Sequence, residues 1–337
     1  MMETLTNFSL KPYNTFGLEV FAHSFCIVKT KEDIQLLIVN GLLKEQPFLL
    51  LGGGSNILFT KNFEGLVIKN EIEGINIVQE TDSEVWITAQ SGTIWHDLVL
   101  FCVQNNYQGI ENLALIPGTV GAAPIQNIGA YGVEVKDVLE NIFVTDLSTG
   151  EEKTISASDC AFGYRDSKFK QEWKNKYFIS NITIKLKKKD FNFNTSYGNI
   201  QDYLGDKPVS VESIANAVIA IRTSKLPNPK ELGNAGSFFK NPEINPSLFK
   251  SLQTKYPEIP YYIINDNSVK IPAAWLIEQC GFKGKVIGNT GNHAKQSLVV
   301  VNYGEATGTE IWEHAQNVIQ SVKVKFNIVL SPEVNVL

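Results

Sequence analysis

The sequence predicts an α+β protein with more than one domain. Short apolar runs alternate with helical periodicities in the first part of the chain, and Ile182, Ile184 and Leu186 alternate with polar residues as in a half-buried strand. Helical character rises in the last third, where a capping box precedes an amphipathic stripe. The 337 residues are enough for two or three domains of ordinary size.

Local signals place the elements of the first part. Thr30 and Asp33 predict the N-terminus of a helix, because a threonine cap followed three residues later by an acid satisfies the first backbone N–H groups. The apolar run 47–51 predicts a buried strand that stops at the glycines 52–54. Further strands are predicted at 66–69, 75–78, 85–89 and 142–146, and a helix at about 93–104.

The last third contains three predicted helices. The apolar positions of 214–221 fall on one helical face, and the two prolines of 226–229 end that helix and mark the best internal boundary. Pro272 and Gly281 bracket a short helix, since proline favours the first turn and glycine the position after the last. The capping box at 307–310 begins the third helix.

Composition restricts the class of protein. An apolar fraction of 43% with 19% charged residues describes a soluble globular protein, and a net charge of −5 offers no basic surface for nucleic acid. Residues 1–18 lack the apolar core of a secretory signal, and no window is apolar enough to span a bilayer. The four cysteines have no metal-binding spacing, so we expect no metal site and a reduced, cytoplasmic location.

The segment 233–242 presents one hydroxyl, that of Ser237, among small residues. Small residues let a ligand approach the backbone closely, and Lys240 and Asn241 follow where they could bind a polar substrate. The spacing does not match the Gly-x-Ser-x-Gly elbow of hydrolases, so Ser237 is not predicted to be a nucleophile. A glycine-rich turn before a strand is the alternative interpretation.

Two further segments suit a phosphate-bearing cofactor. The turn 51–56 follows a predicted strand and can direct successive backbone N–H groups into one concavity, although glycine turns after strands are common. The segment 109–132, called the cofactor loop below, has five glycines and four alanines but one charged residue, Glu111. Its polar Thr119, Gln126 and Asn127 could supply hydrogen bonds to a large ligand; a packed Gly/Ala turn of the core is the alternative.

The order of these segments resembles the UDP-N-acetylenolpyruvoylglucosamine reductase family, the flavoenzymes of peptidoglycan precursor synthesis. The resemblance covers nearly the whole chain and is weak only in 243–268. It is carried by six segments in order, 14–17, 51–58, 109–132, 162–167, 233–242 and 331–334. Tyr197 and Gly198 resemble the tyrosine loop of the longer, type I members, in which that loop closes over the substrate.

The resemblance implies a fold and a domain division. Members of the family have the FAD-binding fold of the vanillyl-alcohol-oxidase/p-cresol-methylhydroxylase type in two subdomains, followed by an α/β domain that binds substrate. In this chain the expected subdomains are 1–70 and 71–224, and the expected substrate domain is 225–326. The tail 327–337 is expected to pack back on 71–224.

The resemblance also implies an activity. NADPH, the co-substrate, reduces a tightly bound FAD, which passes a hydride to the vinyl carbon of UDP-N-acetylglucosamine enolpyruvate and so gives UDP-N-acetylmuramate. Arg165 and Glu333 are expected to stabilise the enolate, and Ser237 to protonate it. None of the four histidines lies in a matching segment, which agrees with a serine acting as an acid.

The family pattern assigns the binding residues by position, and we expect a monomer. The expected substrate ligands are Tyr131, Tyr164, Tyr197, Lys225, Lys240 and Asn241; Tyr164 could instead orient Arg165. The expected FAD contacts are Asn14, Thr15, Phe16, Gly52, Gly53, Gly54, Ser55, Asn56, Ile116, Pro117, Gly118, Thr119, Gly121, Ala122, Gln126, Asn127, Gly129 and Ala130.

Three other functions are alternatives to the reaction that the resemblance implies. Another FAD oxidoreductase of the same fold, acting on a small alcohol or lactone, would need a different substrate domain, which the segment 233–242 argues against. A nucleotide-sugar binding module without activity would not need Arg165, Ser237 and Glu333 together. A phosphotransferase would need carboxylates for Mg²⁺ near the turn 52–54, and none is present there.

Overall fold

The computed structural model describes residues Glu3–Leu337, which form short strands and eight α-helices. The strands are β1 (Leu5–Ser9), β2 (Phe21–Val28), β3 (Phe48–Leu51), β4 (Ile57–Leu58), β5 (Phe63–Asn70), β6 (Ile75–Glu80), β7 (Glu84–Gln90), β8 (Gly129–Ala130), β9 (Val133–Glu134), β10 (Leu139–Asp146), β11 (Glu152–Ser156), β12 (Tyr177–Lys187), β13 (Gly233–Ser237), β14 (Glu243–Ile244), β15 (Tyr262–Asn265), β16 (Ser268–Lys270), β17 (Val286–Ile287), β18 (Thr290–Asn292), β19 (Val299–Asn302) and β20 (Asn335–Val336). The helices are α1 (Lys31–Val39), α2 (Leu42–Glu45), α3 (Trp95–Gln104), α4 (Ile200–Leu204), α5 (Val211–Lys225), α6 (Pro246–Lys255), α7 (Ala273–Gln279) and α8 (Gly308–Phe326).

These elements fall into two units, each made of more than one stretch of chain. Unit 1 contains the N-terminal residues through Phe8 together with Ala22–Gly53 and Glu64–Ser224. Unit 2 contains Ser9–Phe21, Gly54–Phe63 and Lys225–Leu337. The last change of unit, after Ser224, lies two residues before the proline-containing boundary predicted at 226–229.

Unit 1 contains two larger sheets and the two-stranded pair β8-β9. The strand order of the first is β1-β2-β5-β3, with β3 parallel to β5, and the second is the antiparallel sheet β11-β10-β12-β7-β6. In β12 the predicted strand is confirmed, and Ile182, Ile184 and Leu186 are at most 1% exposed; the strand is not half-buried there, because Asn181 and Thr183 on its other face are also buried. They share a hydrophobic core with Trp95 of α3 and Val218 of α5, so these two helices cover that face of the sheet.

Unit 2 contains a four-stranded sheet of order β13-β19-β18-β17, a small sheet of order β14-β16-β15, and the parallel pair β20-β4. The predicted helix starts are confirmed at α7, whose N-cap is Pro272, and at α8, where Thr307 and Glu310 form the capping box. The glycine-rich segment 233–237 is itself a strand and not only a turn before one, because its backbone pairs with β19.

The units and the predicted domains are not divided in the same way. The tail 327–337, which we expected to pack on 71–224, belongs to unit 2, where β20 pairs with β4. This pairing attaches the tail to residues 57–58, and its expected packing on 71–224 stays a prediction. The division into 1–70, 71–224 and 225–326 stays a prediction.

The part of the chain that the structure describes has neither a membrane-spanning helix nor a cluster of metal-binding side chains. Among residues 3–337, no helix is long and apolar enough to cross a membrane. Within the same residues, no three His, Cys, Asp or Glu side chains are grouped so that they could hold a metal ion.

A buried histidine ties α8 to β18 in unit 2. His314 Nε2 donates to Oδ1 of Asn292 at 2.7 Å, and Nδ2 of Asn292 donates to the carbonyl of Ser297 at 2.7 Å. Burial, with a smaller contribution from the charge of Lys285, lowers the pKa of His314 to about 4. The imidazole is therefore neutral in the folded protein over most of the accessible pH range.

This histidine predicts a pH dependence of stability. The unfolded chain protonates His314 near its ordinary pKa of 6.5, whereas the folded chain does so only near 4. Between these values the unfolded state binds one more proton, so the free energy of unfolding falls as pH falls, by up to about 1.4 kcal/mol per pH unit. Urea unfolding at a series of pH values should show this slope reduced in His314→Gln.

The matched control is His23→Gln, which replaces an exposed histidine in β2. Its unfolding free energy should follow the wild-type pH profile. A wild-type slope that survives unchanged in His314→Gln would contradict the assignment.

Candidate active site

The two segments predicted to hold a cofactor lie against each other in unit 1. A Cβ atom built on Gly53 would lie 2.9 Å from Cα of Gly118, and one built on Gly52 would lie 2.5 Å from Oγ1 of Thr119. Only glycine permits this approach without displacing the neighbouring loop. The turn after β3 and the cofactor loop therefore form one backbone-lined surface.

Backbone hydrogen bonds fix the middle of the cofactor loop. The N–H of Trp95 donates to the carbonyl of Gly118 at 3.1 Å, and the N–H of Gly121 donates to that of Ser91 at 2.9 Å. These bonds attach the loop to the start of α3 and the end of β7. The expected FAD contacts that lie in unit 1 are Gly52, Gly53, Ile116, Pro117, Gly118, Thr119, Gly121, Ala122, Gln126, Asn127, Gly129 and Ala130.

One of these residues is used differently from the expectation. Asn127 was expected to offer its side chain to the cofactor, but the side chain is buried and bonded within the protein. Its Nδ2 donates to Oε2 of Glu134 and to the carbonyl of Gly163, both at 3.0 Å, and its Oδ1 accepts from the N–H of Lys136 at 3.2 Å. The side-chain amide of Asn127 therefore stabilises the loop. A contact between the backbone of Asn127 and FAD stays a prediction.

Arg165 is attached to the same loop. Its Nη2 donates to the carbonyl of Gly129 at 2.5 Å, and its Nη1 reaches the carbonyl of Asn127 at 3.4 Å. The Tyr164 ring centroid lies 5.6 Å from Cζ of Arg165, a cation–π distance. Of the two expectations for Tyr164, this contact favours orientation of the guanidinium.

The predicted lid tyrosine lies in the same unit as Tyr131. Tyr197 is 46% exposed, and a Cβ built on the adjacent Gly198 would lie 2.5 Å from Cδ1 of Tyr131. The loop 197–198 is therefore in contact with the Tyr131 ring, as expected if both bind one ligand. Burial raises the pKa of Tyr131, and the nearby charge of Arg222 opposes that rise.

Unit 2 holds Ser237 at the end of β13. Ser237 is half-buried, whereas Phe238 and Phe239 that follow it are at most 1% exposed and anchor the strand in the core. The N–H of Phe238 donates to the carbonyl of Leu298 at 2.8 Å. The hydroxyl is thus carried by a segment whose position is determined by two buried aromatic rings.

The C-terminal segment pairs with residues 238–240, which follow this strand, and brings Glu333 beside Phe238. The N–H of Glu333 donates to the carbonyl of Phe238 at 2.8 Å, and the N–H of Lys240 donates to that of Ser331 at 2.9 Å. Nδ2 of Asn56 donates to the carbonyl of Glu333 at 3.3 Å. Residues 56, 237 and 333, which lie far apart in sequence, are therefore neighbours within unit 2.

The expected FAD contacts in unit 2 are Asn14, Thr15, Phe16, Gly54, Ser55 and Asn56. Gly54 has a φ of +64°, and a Cβ there would overlap the carbonyl oxygen of Tyr13. The N–H of Thr15 donates to the carbonyl of Gly54 at 3.1 Å, and the N–H of Asn234 donates to that of Thr15 at 3.0 Å. The segment 14–16 is thereby joined to both the glycine turn and β13.

Two side chains of that segment, which was expected to lie near FAD, are buried within unit 2. Asn14 bonds to the backbone of Leu10 and Leu18, donating to both carbonyls and accepting from the N–H of Leu18. Phe16 is 1% exposed and contacts the ring of Phe238 edge-on, with centroids 6.4 Å apart. Both side chains make contacts within the protein. A contact of FAD with the backbone of these two residues stays a prediction.

The remaining predicted substrate ligands are on unit 2. Oδ1 of Asn241 accepts from the N–H of Ala273 at 2.9 Å, which fixes the amide at the start of α7. Lys240 is half-buried, and Lys225 is exposed at the end of α5. An amide held through its oxygen keeps its N–H₂ group in a defined direction, which suits recognition of a polar ligand.

Arg222 and His96 of unit 1 are not among the predicted site residues. Nε of Arg222 donates to the carbonyl of Leu115 at 3.3 Å, and Nδ1 of His96 accepts from the N–H of the same residue at 3.0 Å. Burial lowers the pKa of both side chains. One signal could have found Arg222, because it and Arg165 are the only arginines of the chain.

Comparison with known proteins identifies the family. A model of the FAD binding domain matches residues 22–156, and a model of the UDP-N-acetylenolpyruvoylglucosamine reductase C-terminal domain matches residues 228–337. A solved UDP-N-acetylenolpyruvylglucosamine reductase from Thermus caldophilus has the same fold, with a TM-score of 0.66 at 21% identity over 100% of this chain and 98% of that one.

Curated relatives match over the full length. The chain is 47% identical over 339 residues to the UDP-N-acetylenolpyruvoylglucosamine reductases of Flavobacterium johnsoniae and of Amoebophilus asiaticus, with 100% of both chains covered in each comparison. It is 44% identical over 329 residues to that of Chromobacterium violaceum, covering 96% of each chain. The chain therefore belongs to the UDP-N-acetylenolpyruvoylglucosamine reductase family.

Proposed function

We propose that this chain catalyses the NADPH-dependent, FAD-mediated reduction of UDP-N-acetylglucosamine enolpyruvate to UDP-N-acetylmuramate, a step in making peptidoglycan precursors. Relatives that match over 96% or more of the chain and are named UDP-N-acetylenolpyruvoylglucosamine reductase support the reaction. The structural observation that carries it is the pairing of 238–240 with 331–333, which brings Glu333 beside Phe238, the residue that follows the expected acid Ser237. We further propose that the enzyme is a cytoplasmic monomer.

The residues of unit 1 fit FAD. The surface formed by Gly52, Gly53 and the cofactor loop consists of backbone and small side chains, and the two glycines allow its two parts to approach closely. Such surfaces present N–H groups to a pyrophosphate without a cation. When bound, FAD supplies a carrier that takes a hydride from NADPH and delivers it to the vinyl carbon of the substrate.

Arg165 and Glu333 stabilise the charge that this delivery creates. Hydride addition to the vinyl carbon places a negative charge on the adjacent carbon and its carboxylate. The Arg165 guanidinium is permanently charged and is oriented by the carbonyls of Gly129 and Asn127, so it can meet a carboxylate without reorganising. Glu333, fixed through its backbone, holds a proton or a water molecule toward the same charge.

Ser237 delivers the proton that completes the reaction. A hydroxyl is a weak acid, so it protonates only a strongly basic carbon and only when positioned beside it. The buried rings of Phe238 and Phe239 hold the strand that carries Ser237. The hydroxyl regains its proton from solvent or from Glu333, and substrate, NADPH and one proton are thereby converted to product and NADP⁺.

The colour of the protein tests the proposal. Purified protein should be yellow, its flavin absorption should be bleached by NADPH, and the enolpyruvyl UDP-sugar should restore the absorption. Both half-reactions are followed by stopped-flow absorbance. A protein that cannot be reconstituted with FAD would contradict the proposal. If only acceptors derived from small alcohols or lactones restored the flavin absorption, the result would favour an FAD oxidoreductase acting on those compounds.

Ser237→Ala separates the two half-reactions. Protonation belongs to the second half, so NADPH should reduce the flavin at a near-normal rate while the enolpyruvyl sugar reoxidises it about 100-fold more slowly, or worse. Ser251→Ala, which removes an exposed hydroxyl from α6, is the control and should change neither rate. Equal losses in both halves for Ser237→Ala would mean that the serine is structural.

Tyr197→Ala tests the expected lid. Loss of the ring should raise KM for the UDP-sugar about 3- to 10-fold, the range of one aromatic contact, and leave the affinity for FAD unchanged. Tyr303→Ala provides a control, because Tyr303 is similarly exposed at 44% and lies in unit 2. Unchanged substrate kinetics in Tyr197→Ala would argue against a lid.

A further inference from the structure

The chain uses arginine at only two positions. Of its 30 lysines and arginines, all are lysine except Arg165 and Arg222. Lysine and arginine carry the same charge, but the guanidinium is planar, presents donors in a rigid fork and stays charged when it is removed from water. A chain that otherwise uses lysine therefore retains the guanidinium where these properties matter.

Both arginines are bound to the cofactor loop. Arg165 donates to Gly129 and Asn127 near the end of the loop, and Arg222 donates through Nε to Leu115 in its middle. The two charges also act on each other. The pKa of Arg222 is lowered mainly by burial, is raised by Tyr131, and is lowered again by the charge of Arg165.

Leu115 fixes the direction of the Arg222 guanidinium. Its φ of +58° lies in the left-handed region, which a leucine adopts only when its surroundings hold it there. His96 of α3 accepts its N–H, and Arg222 of α5 donates to its carbonyl. Ile116, Pro117 and Gly118, which are expected FAD contacts, follow Leu115 directly, so Arg222 is bonded to the residue next to the expected cofactor contacts.

Arg222 has no protein counter-charge. In the stretch from Glu3 to Leu337, no carboxylate lies within ion-pair distance of it, and Nε is the one guanidinium nitrogen that hydrogen-bonds to the protein. A largely desolvated cation without a partner is costly to keep. Nη1 and Nη2 remain for an anionic ligand.

We propose that Arg222 stabilises the negative charge that the bound flavin carries after reduction. This rests on the proposed function. A hydride transferred from NADPH brings two electrons and one proton to neutral oxidised FAD, which leaves NADP⁺ and a flavin with one extra negative charge. That charge moves to the substrate in the second half-reaction, where Arg165 meets it, so each arginine serves one half of the cycle.

Redox titration of the holoenzyme tests this assignment. Arg222→Gln should lower the midpoint potential of bound FAD by about 30 mV, a tenfold change in the two-electron equilibrium. It should also weaken sulfite binding to the oxidised flavin about tenfold, because the sulfite adduct carries the same kind of charge. Arg222→Lys keeps the charge and should recover a large part of both losses.

The control is Lys44→Gln, which removes an exposed cation from α2 and should leave potential and sulfite affinity unchanged. An unchanged potential in a yellow Arg222→Gln protein would overturn the assignment. An unchanged potential with a raised KM for the UDP-sugar would overturn it equally, because Arg222 would then be a substrate ligand. In both cases NADPH still bleaches the wild-type protein, so the proposed function stands separately.

If Arg222→Gln does not retain FAD, the absorption spectrum of the reduced flavin in the wild-type holoenzyme tests the same proposal. Beside a cation, the reduced flavin should keep its anionic absorption spectrum down to about pH 6. A neutral reduced spectrum at about pH 7 in the wild-type holoenzyme would contradict the proposal without any variant.

Discussion

The site in unit 1 depends on the fixed backbone of the cofactor loop. Its carbonyl oxygens accept from Trp95 of α3, Arg165 and Arg222, and its N–H groups donate to Ser91 and His96. The loop also buries Ile110, Leu113 and Val120 in the hydrophobic core of unit 1, so these bonds add to packing in holding its glycine-rich parts. The loop carbonyls in turn orient the two guanidinium groups, so the loop and the arginines fix each other's positions.

Unit 2 solves a similar problem with strand pairing. The hydroxyl of Ser237 stands at the end of a glycine-rich strand that has few side chains of its own to fix it. Pairing with β19 restrains the strand, pairing with 331–333 restrains the residues 238–240 that follow it, and the buried rings of Phe238 and Phe239 anchor its end. Catalytic groups need to be held within a fraction of an ångström, and rigid pairing supplies that constraint.

Sequence reasoning succeeded where the determining interactions are local. The caps of α1 and α8 each lie within four residues, and both were predicted. It was weaker where a polar side chain could turn either inward or toward a ligand. Asn14 and Asn127 were assigned to the cofactor, yet their amides bond within the protein, because the partners that claim them are backbone groups that sequence spacing alone does not locate.

The sequence by itself determined the family, the order of the cofactor and substrate segments, and the identity of Arg165, Ser237 and Glu333 as the residues to examine. Only the tertiary structure decided that Glu333 pairs with the strand of Ser237, that the tail belongs to unit 2, and that Arg222 is held against Leu115. The physical reason is that residue types and the spacing of neighbouring residues can be read directly from the sequence. Hydrogen bonds between residues tens or hundreds of positions apart exist only after the sheets and loops have been brought together.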